Sequence, residues 1–213
     1  MRRFRPLVCV AAFLYLILPA CATALAELVP ALKEGGYVLV VRHAATDESQ
    51  KDVYPFVFDD MRKQRQLSDE GRQMARDVGA AIKALSIPLD QVYTSKLNRA
   101  VETGALMSGK QVVTLIELTD SSAGRSSAMA NPSGSNAKIG SAIQELVNKV
   151  PKAGNNNLIV THKTNIADAF GKEFGNVRDG EALIFKPNNS GPPILVGRVQ
   201  PREWGGHRGV LKP

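Results

Sequence analysis

Short, unbroken apolar runs alternate along this chain with longer stretches in which apolar residues recur every three or four positions. Tyr37-Val38-Leu39-Val40-Val41 follows Gly35-Gly36 and ends in Arg42-His43, and Asn157-Leu158-Ile159-Val160-Thr161 ends in His162. Runs of this kind suit strands buried on both faces of a parallel sheet. Met74, Val78, Ile82 and Leu85 instead follow helical spacing. The helix they predict starts at Ser68-Asp69-Glu70, a capping hydroxyl ahead of two acids that oppose the positive end of the dipole, and Pro88 ends it.

The same reading gives a strand over Gln91 to Ser95, a helix over Leu97 to Met107 and a strand over Val112 to Leu118. A helix follows over Asn136 to Val150, with Ile139, Ile143, Leu146, Val147 and Val150 on one face. Another helix begins at Asn165 and runs to Phe170. Ala182 to Phe185 and Ile194 to Val199 flank a Pro- and Asn-rich turn and predict a hairpin at the sheet edge. Residues 27 to 36 lead into the first strand. Strands alternating with helices, without a repeat or linker, predict one three-layer α/β/α sandwich with a mostly parallel central sheet. Two long polar segments break the pattern. Residues 44 to 66, with Tyr54, Phe56 and Phe58, either line a substrate pocket or cover a core edge; residues 119 to 135 form a mobile lid or an irregular crossover.

The N-terminus stands apart from this pattern. Met1 to Arg5 carries three arginines, Pro6 to Ala26 carries no charge, and Ala24-Leu25-Ala26 is a small-x-small cleavage signal. Residues 1–26 therefore read as an export signal and 27–213 as the mature domain, which implies a periplasmic or envelope-associated location. An uncleaved membrane anchor is an alternative. Both cysteines, Cys9 and Cys21, fall inside the signal, so cleavage after Ala26 leaves no thiol for catalysis or metal binding. Leu18-Pro19-Ala20-Cys21 also resembles a lipoprotein box, which would attach the protein to a membrane through lipid on Cys21. Removing Arg2, Arg3 and Arg5 from the 27 basic residues leaves 24 against 20 acidic ones, a net charge of +4. This excess fits an anionic small substrate or surface, and no block of like charge points to nucleic acid.

Parallel strands bind ligands at their carboxyl ends. Three of the predicted strands deliver polar residues there: Arg42 and His43, Ser95 with Arg99 just beyond, and His162. Guanidinium groups pair with phosphate or carboxylate in bidentate fashion, and an imidazole serves as acid, base or nucleophile. No H-x-H or H-E-x-x-H spacing marks a metal site, so none is expected, and neither a G-x-S-x-G elbow nor a G-x-x-x-x-G-K loop is present.

Val41-Arg42-His43-Ala44 resembles the signature of the histidine phosphatase superfamily, whose fold is phosphoglycerate-mutase-like. Thr94-Ser95-Lys96-Leu97-Asn98-Arg99-Ala100-Val101-Glu102-Thr103 resembles its second motif and Ile159-Val160-Thr161-His162 its third. Among its members the chain looks most similar to small exported bacterial ones, including lipopolysaccharide core heptose phosphatases. Ala44 and Lys163 stand where glycine is usual. The resemblance implies that His43 is a nucleophile that becomes phosphorylated, with Arg42, Arg99 and a protonated His162 around the phosphoryl group and no cofactor. It implies a backbone carbonyl or carboxylate on the other nitrogen of His43, and a phosphorylated small molecule or envelope glycan as substrate. For the proton donor it suggests Asp120, then Glu181, then Glu117. Arg65 is either a phosphate contact or an exposed loop arginine, and Asn165 either a helix cap or a substrate contact. His207 reads as surface and Trp204 as packing. A phosphomutase and a non-catalytic anion-binding module on the same fold are the rival readings.

Overall fold

The computed structural model describes residues 24–120 and 136–205. The stretch up to residue 23 that reads as an export signal, most of the 119–135 segment and His207 lie outside the described residues. Six strands form one sheet in the order β3-β2-β4-β1-β5-β6: β1 Val38–Arg42, β2 Leu89–Ser95, β3 Val113–Leu115, β4 Asn156–Thr161, β5 Ala182–Lys186 and β6 Ile194–Val199. The first four pair in parallel; β5 runs antiparallel to β1, and β6 antiparallel to β5, as the hairpin pattern predicts.

Strand β1 is apolar throughout because both its faces are covered. Leu39 and Val41 enter one core with Val78, Ile82, Val92, Met107 and Trp204, while Val38 and Val40 enter a second with Ile143, Val147, Ile166 and Phe185. The first core lies under α1 Ala24–Glu34, α2 Asp69–Ala84, α3 Asn98–Ser108 and α6 Pro201–Gly205, and the second under α4 Ala137–Val147 and α5 Lys163–Phe170. The Ser68 hydroxyl accepts from the Gly71 N–H at 3.0 Å and caps α2. Gly71 itself is required by close approach, since a Cβ there would stand 2.0 Å from the Ala45 carbonyl oxygen.

Four elements depart from the sequence reading. Residues 24–34 form a helix instead of a simple lead-in, with Leu25 and Leu32 in the core, so a cut after Ala26 would remove a buried side chain. The stretch from Val112 to Leu118 is strand for only three residues before a 3-10 turn, Ile116–Leu118. Helix α4 stops at Val147, which leaves Val150 in solvent. Helix α5 starts at Lys163, directly after His162, two residues earlier than its pattern suggests.

Asn156 stitches the end of the sheet opposite the histidines. It is fully buried; its Nδ2 donates to the carbonyls of Leu32 at 2.7 Å and Pro88 at 3.0 Å, and its Oδ1 accepts from Tyr37 N–H at 3.1 Å. Asn156→Ala leaves at least two of these backbone groups without their partner, each costing roughly 1–3 kcal/mol. The expected loss is about 2–4 kcal/mol by urea unfolding, with the chemistry of the folded fraction unchanged because the change lies at the far edge.

Candidate active site

Parallel register brings the motif residues together. Arg42 sits opposite Thr161 on β4, and Thr94 opposite Val160, so Arg42, Thr161 and Ser95 end their strands in one row. The next residues on β1 and β4 are His43 and His162, whose ring centroids are 5.1 Å apart. Both are 2% exposed. Three bonds fix the turn after β1: His43 N–H donates to the Thr161 carbonyl at 3.0 Å, Ala44 N–H to the Thr103 hydroxyl at 3.1 Å, and that hydroxyl to the Arg99 carbonyl at 2.7 Å. Thr103 thus ties the second motif to the first.

The His43 Nδ1 lies 2.8 Å from the Ala44 carbonyl oxygen. A carbonyl only accepts, so Nδ1 carries the hydrogen and Nε2 keeps its lone pair. A backbone carbonyl therefore holds the second nitrogen of this ring. Burial, then the positive charge of Arg99, the neighbouring His162 ring and the charge of Arg42, push the His43 imidazole well below its ordinary range. His162 is pushed the same way by burial and then by Arg99, Arg42 and Arg65, so the free protein holds it neutral, contrary to the protonated form the resemblance implies.

Around these rings stand three guanidinium groups, each braced by an acceptor. Arg42 Nη1 donates to the Val177 carbonyl at 2.8 Å and its Nη2 pairs with Asp179 at 2.7 Å. Arg99, fully buried, is shared between Asp52 at 2.9 Å and Asp120 at 3.5 Å. Arg65 is 6% exposed and meets Glu48 at 3.4 Å, so it is not the exposed loop residue its position suggests. Among the described residues, Arg42 Nε, Arg99 Nε and His162 Nδ1 are buried with no hydrogen-bond partner. Buried donors left over in this way call for an acceptor from elsewhere. Lys163, half-buried at the start of α5, adds a further positive charge, lowered from its ordinary range by burial and then by Arg42.

The three candidate acids separate. Asp120 is 7% exposed beside Arg99 and accepts from the Thr164 hydroxyl at 2.9 Å. Glu117 lies exposed on the 3-10 turn. Glu181 is buried but engaged elsewhere, accepting from Arg198 Nε at 2.6 Å and Arg178 N–H at 2.8 Å; burial pushes its carboxyl up, and these bonds bring it below the usual range. It clasps the turn before β5 instead of offering itself to a ligand. Asn165 does not cap helix α5, which starts at Lys163. Its Nδ2 donates to the carbonyls of Glu117 and Thr119 and pins the segment that carries Asp120.

Sequence reasoning missed Glu48 and Asp52. They sit in the polar 44–66 segment, which has no periodicity to mark them, and the segment folds back through the Thr46–Leu67 bridge and through Gln64 and Gln66 onto Asn98. Its aromatics touch in sequence, Tyr54 edge-on to Phe56 and Phe56 tilted against Phe58, with the Lys96 ammonium 5.7 Å from the Phe58 ring. They flank the carboxyl end of β2 instead of entering the core. Among the described residues, no group of three His, Cys, Asp or Glu side chains is arranged to hold a metal ion, and no helix is long and apolar enough to cross a membrane.

Residues 38–135 match the model of the histidine phosphatase superfamily (branch 1). The protein histidine phosphatase SixA complexed with tungstate superposes with a TM-score of 0.53 at 18% identity, covering 78% of this chain and 97% of that one. The chain has the histidine phosphatase fold. A mutant phosphoserine phosphatase from Entamoeba histolytica in complex with phosphoserine gives a TM-score of 0.52 at 16% identity, covering 78% of this chain and 98% of that one. The alpha-ribazole phosphatase from Shigella flexneri gives 0.52 at 17% identity, with 78% and 96% covered. No curated protein sequence matches the chain significantly.

The lowered histidines make stability depend on pH. Unfolded, each titrates near pH 6.5; folded, each resists protonation to lower pH, so below about pH 6.5 the unfolded state takes up more protons and stability falls. The urea midpoint should drop between about pH 7.5 and 5.5, and less steeply in His43→Gln/His162→Gln. Equal slopes in the two proteins would show that these rings are not held neutral.

Proposed function

We propose that this protein is an exported phosphatase that hydrolyses a phosphate monoester through a phosphohistidine on His43, without a metal ion. The observation that carries this reading is the His43 ring. Its Nδ1–H is fixed on the Ala44 carbonyl and its Nε2 lone pair is free, beside buried guanidinium groups with donors to spare. Phosphate monoesters hydrolyse extremely slowly unaided, and their catalysis is mostly positioning and stabilisation of charge on the equatorial oxygens.

In the first step Nε2 of His43 attacks phosphorus and the bond from phosphorus to the ester oxygen breaks. Arg42, Arg99 and an N–H of His162 hold the equatorial oxygens, and Arg65 and Lys163 add positive charge behind them. The departing oxygen takes a proton from Asp120, which enters the step as the carboxylic acid, protonated when the phosphoryl group displaces it as the partner of Arg99. Water then attacks phosphorus, Asp120 receives its proton, the phosphorus–nitrogen bond breaks, and inorganic phosphate leaves. The rings, the arginines and Asp120 together balance this chemistry, so no cofactor is invoked.

For the substrate we favour a phosphorylated sugar of the envelope. The chain's motifs look similar to those of exported heptose phosphatases, the site gathers the guanidinium groups of Arg42, Arg65 and Arg99 around two rings, and residues 1–26 read as an export signal. Because Leu25 is part of the core, processing upstream of α1, as at Cys21, would preserve the fold better than a cut after Ala26.

Purified protein should release phosphate from an aryl phosphate in the presence of EDTA, and His43→Ala should lower the rate by at least about 1000-fold. Asp120→Asn should slow an alkyl phosphate far more than an aryl phosphate, whose leaving group departs without a proton. Turnover surviving His43→Ala would sink the mechanism. A binding module would retain phosphate and release none, and a phosphomutase would return the group to its substrate.

A further inference from the structure

Ser95 ends β2 fully buried, with its hydroxyl oxygen 2.8 Å from His162 Nε2 and 3.1 Å from the Leu97 backbone nitrogen. A serine hydroxyl has one proton to give and two lone pairs to receive with. The Leu97 N–H can only donate, so it takes one lone pair. The hydroxyl proton still needs an acceptor, and among the described residues the one in range is His162 Nε2. Were Nε2 to carry hydrogen instead, the serine oxygen would accept twice and its own proton would be left without a partner in the interior. With hydrogen on Nδ1 only that N–H lacks a protein partner, whereas with hydrogen on Nε2 both the serine proton and the Nδ1 lone pair lack one, so the first tautomer leaves fewer buried polar groups unpaired.

We infer that Ser95 is a positioning residue that sets His162 in the Nδ1–H tautomer, its hydroxyl donating to Nε2 so that the remaining hydrogen of the neutral ring sits on Nδ1. That nitrogen is buried and without a protein partner, so its N–H is available to an acceptor such as a phosphoryl oxygen. The arrangement is the complement of the one at His43. There a carbonyl fixes hydrogen on Nδ1 and frees the Nε2 lone pair; here a hydroxyl occupies the Nε2 lone pair and frees the Nδ1–H. Two rings 5.1 Å apart are thereby given opposite roles by their neighbours alone, one an electron-pair donor and the other a hydrogen-bond donor. No change of net protonation is needed. The use of the Nδ1–H on a phosphoryl group rests on the phosphatase reading, whereas the tautomer rests only on the contacts of Ser95.

The test is two-bond proton–nitrogen correlation NMR on the full chain labelled with 15N-histidine, near neutral pH, with the His162 signals assigned by their loss in His162→Gln. Wild type should show His162 as the Nδ1–H tautomer. Ser95→Ala should shift it towards Nε2–H, and Ser95→Thr, which keeps the hydroxyl, should restore it. On an aryl phosphate, kcat should fall about tenfold or more in Ser95→Ala with a smaller change in KM, and recover in Ser95→Thr. An Nε2–H His162 in wild type, a measurement that needs no change at Ser95, overturns the inference. So does a tautomer unmoved by Ser95→Ala. If wild type shows the Nδ1–H tautomer but hydrolyses no phosphate ester, the inference stands and the phosphatase reading falls.

Discussion

Everything at this sheet edge follows from burying two imidazoles among guanidinium groups. His43 and His162 lie side by side, nearly free of solvent, with Arg99 fully buried beside them and Arg42 and Arg65 largely so. Charge in such a place is expensive unless paired. The protein answers in two ways. The arginines, which cannot give up their charge, are each braced by carboxylates: Asp179, Asp52 and Asp120, and Glu48. The histidines can lose theirs, and do. A neutral His43 is also what a nucleophile must be, so the electrostatics that make the edge costly are the same ones that prepare it for chemistry.

The fold carries this cost by fixing the edge from several directions. Parallel pairing of β1, β2 and β4 sets the depth of the motif residues. Thr103 clamps the turn after β1, and the Thr161 hydroxyl donates to the Leu118 carbonyl at 2.8 Å, joining β4 to the segment that carries Asp120. Asn165 grips the same segment from α5. Asn156 closes the opposite end. Arg42 therefore sits on a strand, Arg99 and Lys163 on first helical turns, and His43 and His162 directly after strand ends, where position is held more accurately than in a free loop.

The parts legible in the sequence are those with a short-range physical signature. Val38 to Val41 and Leu158 to Val160 read as doubly buried strands because every residue is apolar, and that fact alone places the histidines that follow. Helix α2 announces itself through Ser68 and its spacing. The rest depends on partners distant in the chain. Glu181 looks available to a ligand in the sequence, but Arg198 claims it from across the β5–β6 pair; Asn165 bonds to carbonyls 46 and 48 residues away. Glu48 and Asp52 lie in a segment whose pattern says only that it is polar. Helix α1 is hidden by its overlap with a stretch that reads as an export signal, since an apolar, alanine-rich sequence serves either purpose.

The central claim is that His43 Nε2 takes the phosphoryl group. Rapid quench of the full chain with a 32P-labelled phosphate ester, followed by alkaline proteolysis, tests it most directly. The account predicts an acid-labile, alkali-stable label on the peptide that contains His43, formed and lost at rates that support turnover. No label during turnover, or a label on another residue, would contradict it.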